Sequence, residues 1–367
     1  MRVAASISSS LLGLLTSLAA QAQGEPADSV PITAAERAAV VASLGQRLKD
    51  NYVFADVAES LAKATAAKQA KGGYDAATTT TALAEVLTRD LREIGKDKHF
   101  RVTFDPAFTP PPEGAAALPN GEDIAAYRQE MARSGYGIER VQRLPGNVGY
   151  LELRGFGPLA FVGDAYTDAM SLLVGTDALV LDLRRNRGGQ PESVAHLLSH
   201  FFGVDDERHL NDIYNRPRNS TREYWTNPAV TVRYTKPIYV LTSGQTFSGG
   251  EEAAYDLQTQ KRATLVGETT RGGANPGGNL ALKHGLIAFI PSGRSINPIT
   301  KTNWEHVGVK PDVAVPAAEA MKTAYVAILT DLADKATDAD QREMLKDTLA
   351  RAEKDEIDLP KFASPRR

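Results

Sequence analysis

The clearest chemical signal in the chain is a serine followed by two glycines, placed just after a short apolar run. Ile238, Tyr239, Val240 and Leu241 have the composition of a buried strand. Thr242, Ser243 and Gly244 then turn the chain, and Ala253 and Leu257 fall four residues apart, on one face of a helix. Ser248, Gly249 and Gly250 stand between strand and helix. A hydroxyl held there, beside the unpaired N–H groups of a starting helix, is placed to attack a carbonyl carbon. Such a serine needs a base and a set of donors for the oxyanion.

Six histidines could supply the base: His99, His196, His200, His209, His284 and His306. His99 lies where Gly95-Lys-Asp-Lys-His99 turns into Phe100-Arg-Val-Thr-Phe104, an alternating strand. A side chain at such an edge can reach a cleft, or can simply pack. His196 and His200 are four apart on a helix, yet Leu-Leu-Ser between them lacks the glutamate of a zinc protease. Gly188 and Gly189 follow the apolar run Ala178 to Leu183, at the carboxyl end of a strand, where α/β folds place their sites. Their N–H groups, with that of Gly249, could form an oxyanion hole, or the two glycines could be a plain tight turn. Glu305 sits in a loop before a short strand, a place where carboxylates are commonly just solvated.

The elements that must position these residues read as two kinds of structure. From Ile32 to Ile94 the pattern is helical: a Thr33/Glu36 capping box, then Val40, Leu44 and Leu48 at helical spacing. A second helix runs from about Asp56 to Gly72-Gly73, and a third carries Leu83, Leu87 and Leu91 on one stripe. Residues 30–104 are therefore predicted as a three-helix bundle ending in the His99 strand. Residues 105–145 read as a linker with a short helix, Glu122 to Arg133. Residues 146–316 repeat the strand, glycine turn and helix pattern of a layered α/β domain. Residues 317–367 read as two helices and a charged tail.

Composition narrows the chemistry. The 367 residues carry a net charge of −3 and no cysteine, which excludes disulfides, thiolate metal sites and a cysteine nucleophile. Nothing in the charge balance suggests nucleic acid as a partner. Arg2, the apolar stretch Leu11 to Ala20 and Ala20-Gln-Ala22 read as a signal peptide over residues 1–22, so the chain is expected in a periplasm or outside the cell. No segment reaches the length of a membrane span.

Four motifs taken together resemble peptidase family S41, the family of tail-specific processing proteases, the tricorn core protease and the modules of interphotoreceptor retinoid-binding protein. They are Leu181-Asp-Leu-Arg-Arg-Asn-Arg-Gly-Gly189, Thr246-Phe-Ser-Gly-Gly-Glu-Glu252, Gly267-Glu-Thr-Thr-Arg-Gly-Gly273 and Gly308-Val-Lys-Pro-Asp312, in the family's order. The helices and Asp97-Lys-His99 are similar to the retinoid-binding-protein-like branch. The resemblance implies a crotonase/ClpP-like ββα spiral, of α/β (α+β) class, behind the helical bundle. It implies a serine-type peptidase acting on a peptide or protein substrate, with no cofactor and no metal.

The family divides by its base. Processing proteases use a lysine in the context Gly-Glu-x-x-x-Gly-Lys, and here that position is Gly273. The tricorn-like branch uses serine, histidine and a glutamate shortly before Gly-Val-x-Pro-Asp, and His99 and Glu305 stand at the matching places. The implied set is Ser248 as nucleophile, His99 as base and Glu305 as acid, with Gly249 and Gly189 as oxyanion donors and Gly188 as the other possibility. The tricorn pattern has a serine before its histidine where this chain has Lys98. Residues 105–145 are too few for the PDZ domain of tail-specific relatives. The retinoid-binding modules supply the rival reading, a carrier of a lipophilic ligand on the same fold. Oligomeric state is not legible.

Overall fold

The computed structural model describes residues 29–110 and 121–362; the signal read over residues 1–22 lies outside them. In chain order the elements are α1 (Ala34–Asn51), α2 (Ala55–Ala70), α3 (Thr80–Gly95), β1 (Arg101–Phe104), α4 (Gly121–Arg133), β2 (Ile138–Leu144), β3 (Val148–Leu153), α5 (Leu159–Leu173) and β4 (Ala178–Asp182). There follow α6 (Pro191–Ser199), β5 (His209–Asn215), β6 (Ser220–Trp225), β7 (Ile238–Thr242), α7 (Gly249–Thr259), β8 (Thr264–Gly267), β9 (Gly277–Ala281), β10 (Leu286–Pro291) and β11 (Gly293–Ile296). The chain ends in β12 (Val313–Ala314), α8 (Ala320–Lys335) and α9 (Ala339–Glu353). None of the described helices is long and apolar enough to cross a membrane.

The chain divides into two compact units, and neither is one continuous stretch. The first comprises residues up to Arg128 together with Ile213–Arg222 and Asn275–Ser295, and the second comprises Gln129–Asp212, Glu223–Ala274 and Ile296–Arg367. A third sheet has the order β11-β5-β6.

In the first unit the helices form as their spacing predicts. Thr33 and Glu36 cap α1 reciprocally: the Glu36 amide donates to Thr33 Oγ1 at 3.3 Å, and Glu36 Oε2 accepts from the Thr33 amide at 2.8 Å. Val40, Leu44, Leu48, Leu83, Leu87 and Leu91 are all buried in a core shared with Phe100 and Val102 of the β1 strand region. That core also takes Leu286, Ala288 and Ile290 of β10, because β1 and β10 pair antiparallel with Arg101 opposite Phe289 and Phe104 opposite Leu286. Strand β9 completes the sheet. The sequence reading places this β9–β10 hairpin inside a continuous 146–316 domain. In the fold the alternation of Phe100, Val102 and Phe104 instead recruits it to the helices.

The second unit is built on a six-stranded sheet of order β12-β8-β7-β4-β3-β2, parallel throughout except for the β2–β3 pair. Strands β3 and β4 are buried along their whole length, as continuous apolar runs require. Helices α8 and α9 cover the face carrying Tyr150, Val180, Leu241 and Val266. The connections β3–α5–β4, β4–α6–β7 and β7–α7–β8 join neighbouring parallel strands. Right-handed crossovers that advance in one direction keep their helices on one face, opposite α8. Strand β2 lies in the stretch read as linker; Ile138-Glu-Arg-Val-Gln-Arg-Leu144 is too polar to announce an edge strand.

Candidate active site

The turns after β4 and β7 are the carboxyl ends of adjacent parallel strands, with Asp182 in register with Leu241. Side chains lace the two turns together. Ser243 Oγ donates to the Arg184 carbonyl at 2.5 Å, Thr246 Oγ1 donates to the Leu183 carbonyl at 2.8 Å, and the Phe247 amide donates to the Asn186 carbonyl at 3.1 Å. Asn186 is fully buried and ties its turn to the end of β3. Its Nδ2 donates to the Leu153 carbonyl at 3.0 Å, and its Oδ1 accepts from the Gly188 amide at 2.8 Å.

Ser248 immediately precedes α7 and has φ +54° and ψ −121°. For a residue with a Cβ that conformation costs of the order of 1–3 kcal/mol, and it persists only where the surroundings enforce it. The enforcing group is Glu251. Its carboxylate accepts from the Ser248 amide at 2.9 Å, from Thr270 Oγ1 at 2.5 Å, and from the amides of Gly272 and Gly273 at 2.6 and 2.9 Å. Burial raises the Glu251 carboxyl above its ordinary value, and these four donors pull against that rise without cancelling it.

Gly188 and Gly189 back directly onto the serine. A Cβ added to Gly188 would lie 2.6 Å from Ser248 Cβ, and one added to Gly249 would lie 3.1 Å from the Gly189 amide nitrogen. Gly189 has φ +141°, and a Cβ there would stand 1.9 Å from the Phe156 carbonyl oxygen, so only glycine fits. The choice between the two glycines turns on their amides. The Gly188 amide is already taken by Asn186, whereas neither Gly189 nor Gly249 donates its amide to any described group.

Glu305 is also in the second unit. Its side chain is buried and its Oε2 accepts from the Ala274 amide at 2.5 Å, while His306 Nδ1 lies 3.5 Å from Oε1. Gly273, the position where processing proteases carry lysine, donates its amide to Glu251, and its carbonyl accepts from Trp304 Nε1 at 2.7 Å. The segment Gly272–Ala274 therefore joins the Ser248 support to the Glu305 loop.

His99 belongs to the first unit, and there the structure brings in a residue the sequence reading passed over. Asp97 is fully buried. Its Oδ1 accepts the His99 amide at 2.9 Å and lies 3.3 Å from His99 Nδ1, and its Oδ2 accepts from Asn275 Nδ2 at 2.9 Å. Burial pushes the Asp97 carboxyl up, but the contacts with His99 and Asn275 outweigh it and leave the group below its ordinary value. The available signal was the Asp-x-His spacing, in which the carboxylate closes a turn on the amide two residues on. His196 and His200 face backbone carbonyls, with His196 Nε2 3.1 Å from the Gly163 oxygen and His200 Nδ1 2.7 Å from that of Val232.

The model of peptidase family S41 matches residues 147–315, and a model described as the N-terminal domain of Peptidase_S41 in eukaryotic IRBP matches residues 25–134. Carboxyl-terminal-processing peptidase 2, chloroplastic, of Arabidopsis thaliana is 30% identical over 226 residues, which is 56% of this chain and 41% of that protein. The carboxyl-terminal-processing protease of Synechocystis sp. is 32% identical over 158 residues, 41% of this chain and 34% of its own length. The chain thus spans about two fifths of the length of the first of these relatives and about a third of the second. A crystal structure of a Parabacteroides merdae protein assigned as a peptidase superposes with a TM-score of 0.56 at 16% identity, covering 82% of this chain and 99% of that one, which shows the shared fold. On the two family models and these relatives, the chain belongs to peptidase family S41.

Proposed function

We propose that this chain is a serine peptidase that cuts peptide bonds through an acyl-enzyme on Ser248, with His99 as the base. The observation that carries the reading is the backbone at Ser248: a positive φ at the strand-to-helix turn, with the unengaged amides of Gly189 and Gly249 beside it. In the reaction Ser248 Oγ attacks the carbonyl carbon while His99 takes its proton. The imidazolium then gives that proton to the leaving amine as the C–N bond breaks, and water repeats the sequence to free the acid. The Gly189 and Gly249 amides stabilise the tetrahedral oxyanion, where loss of one donor costs ~10²–10³ in turnover.

Asp97 beside Nδ1 favours the tautomer with its proton on Nδ1, so that Nε2 is the basic nitrogen. Glu305 keeps the acid role that the family pattern implies, directly on His99 or through a neighbouring side chain. Gly273 in place of the processing-protease lysine supports the tricorn-like branch, and the match of residues 25–134 supports its retinoid-binding-protein-like relatives. The residue pattern at 1–22 supports export, with a periplasmic or extracellular peptide or protein as substrate. The description of that N-terminal match also favours, as a second reading, a carrier of a lipophilic ligand.

A fluorophosphonate probe separates the two. The peptidase reading expects covalent labelling of the purified chain, abolished in Ser248→Ala and strongly slowed in His99→Ala. Absence of labelling, or equal labelling of Ser248→Ala, refutes it, and a carrier is then the reading that survives. Labelling that persists at full rate in His99→Ala refutes the base alone.

A further inference from the structure

Asp97 steadies His99, and the first unit also shows what steadies Asp97. Two neutral donors meet its Oδ2: the Tyr52 hydroxyl at 3.4 Å and Asn275 Nδ2 at 2.9 Å. Tyr52 closes α1 and is buried in the helical core, its ring centroid 4.7 Å from that of Phe100. Asn275 arrives from 178 positions downstream, two residues before β9. All of these residues belong to the first unit.

The backbone that presents Asn275 is fixed on its far side. Pro276 follows it and confines it to extended conformations. The Pro276 carbonyl accepts from the amides of Ser292 and Gly293 at 3.0 and 2.9 Å. The hairpin that starts there, β9–β10, carries Phe289, whose ring stacks on the His99 imidazole with centroids 6.2 Å apart.

Two features mark Asn275 as more than packing. A carboxylate only accepts, so the amide presents Nδ2 to Asp97 and turns Oδ1 away. That Oδ1 is buried and meets no donor among the described residues. An unpaired buried acceptor weakens a fold, so stability alone does not account for the asparagine. The second feature is its neutrality. A lysine or arginine would grip Asp97 more strongly but would cancel its charge, whereas an amide holds the carboxylate and leaves that charge to the imidazole.

We propose that Asn275 is a positioning residue for the base: it holds the Asp97 carboxylate in the orientation in which Oδ1 fixes the His99 imidazole with its proton on Nδ1. The inference rests on the peptidase reading and adds a residue to the support of its base.

Fluorophosphonate labelling of the full chain, over a series of probe concentrations, tests it in Asn275→Ala and Asn275→Leu. Leucine keeps the volume and alanine does not, so whichever variant folds carries the test. Loss of a hydrogen bond to a charged group should lower the maximal labelling rate by about 10–10², with probe affinity unchanged. In an Asp97→Asn background the same substitution should have no further effect, because Asn275 acts through that carboxylate. An unchanged rate, or the same slowing in the Asp97→Asn background, overturns the proposal. Failure of the wild type to label refutes the peptidase reading instead. The imidazole nitrogen shifts of isotope-labelled histidine, with His99 assigned from the signal lost in His99→Gln, then decide the positioning. Loss of the Nδ1–H tautomer in the Asn275 variant supports it, and identical His99 signals refute it.

Discussion

Replacing Glu252 by glutamine should make the second unit more stable at pH 8 and leave it little changed at pH 5. Glu252 and Asp256 sit one turn apart on α7, both buried, and Glu192 of α6 adds a third negative charge nearby. Burial, reinforced by Glu192 and opposed by a hydrogen bond with Asn211, pushes the Glu252 carboxyl from 4.5 up to about 7. Burial and the neighbouring Glu252 raise Asp256 as well, against the hydrogen bond from Asn297 Nδ2 at 3.1 Å. The sign follows from which state holds the proton. Between 4.5 and about 7 the folded chain keeps the Glu252 proton and the unfolded chain releases it, so rising pH favours unfolding. At 1.36 kcal/mol for each tenfold change in acidity, the full penalty is of the order of 3 kcal/mol, present above pH 7 and absent below about pH 4.5.

Denaturant unfolding at several pH values between 5 and 8, followed by tryptophan fluorescence, measures it. Both tryptophans, Trp225 and Trp304, lie in the second unit, so the signal reports on the unit that contains the pair. The stability of wild type relative to Glu252→Gln should fall across that range. A difference that is flat with pH, or that grows in favour of wild type as pH rises, would refute the reasoning.

Other perturbations give equally direct readouts. Gly189→Ala drives a methyl into the Phe156 carbonyl at a φ that alanine avoids. It should lower stability by ~1–3 kcal/mol in thermal unfolding and abolish fluorophosphonate labelling. Asp97→Asn removes the carboxylate beside His99 Nδ1 and should slow labelling by about 10²–10⁴, with a smaller effect on probe affinity, in a concentration series. Asp182→Asn leaves the buried Arg184 without its counter-charge and should cost about 3–5 kcal/mol in denaturant titration. Glu251→Gln removes an acceptor that four donors share, and should depress labelling more than it depresses thermal stability.

Much of this was legible before any coordinates. The helical stripes of α1 and α3 declare themselves because one face of each is buried and the other is not. The strand and helix around Ser248 declare themselves because an apolar run stops at small residues. What stayed hidden depends on partners distant in sequence. Nothing in Leu286 to Pro291 says that the strand will pair with Arg101 to Phe104 rather than with its neighbours in the α/β sheet. Gly188 and Gly189 are equivalent as letters, and only the side chain of Asn186, which captures one amide, distinguishes them. Asp97 reads only as part of a motif, because the contacts that bury it come from Tyr52 and Asn275, 45 and 178 positions away. Strands β5 and β6 are hidden by their own polarity.

The discontinuity of the first unit bears on how the protein can be taken apart. Residues 25–134 match a family model as a single stretch, yet the compact unit around them also draws on residues 213–222 and 275–295. A fragment cut after residue 134 would carry β1 without β10, exposing Val102 and a row of unpaired backbone groups, which is a template for aggregation. Splitting this molecule for expression or labelling therefore calls for a permuted or trans-complemented design, in which the β9–β10 hairpin travels with the helices instead of with the serine.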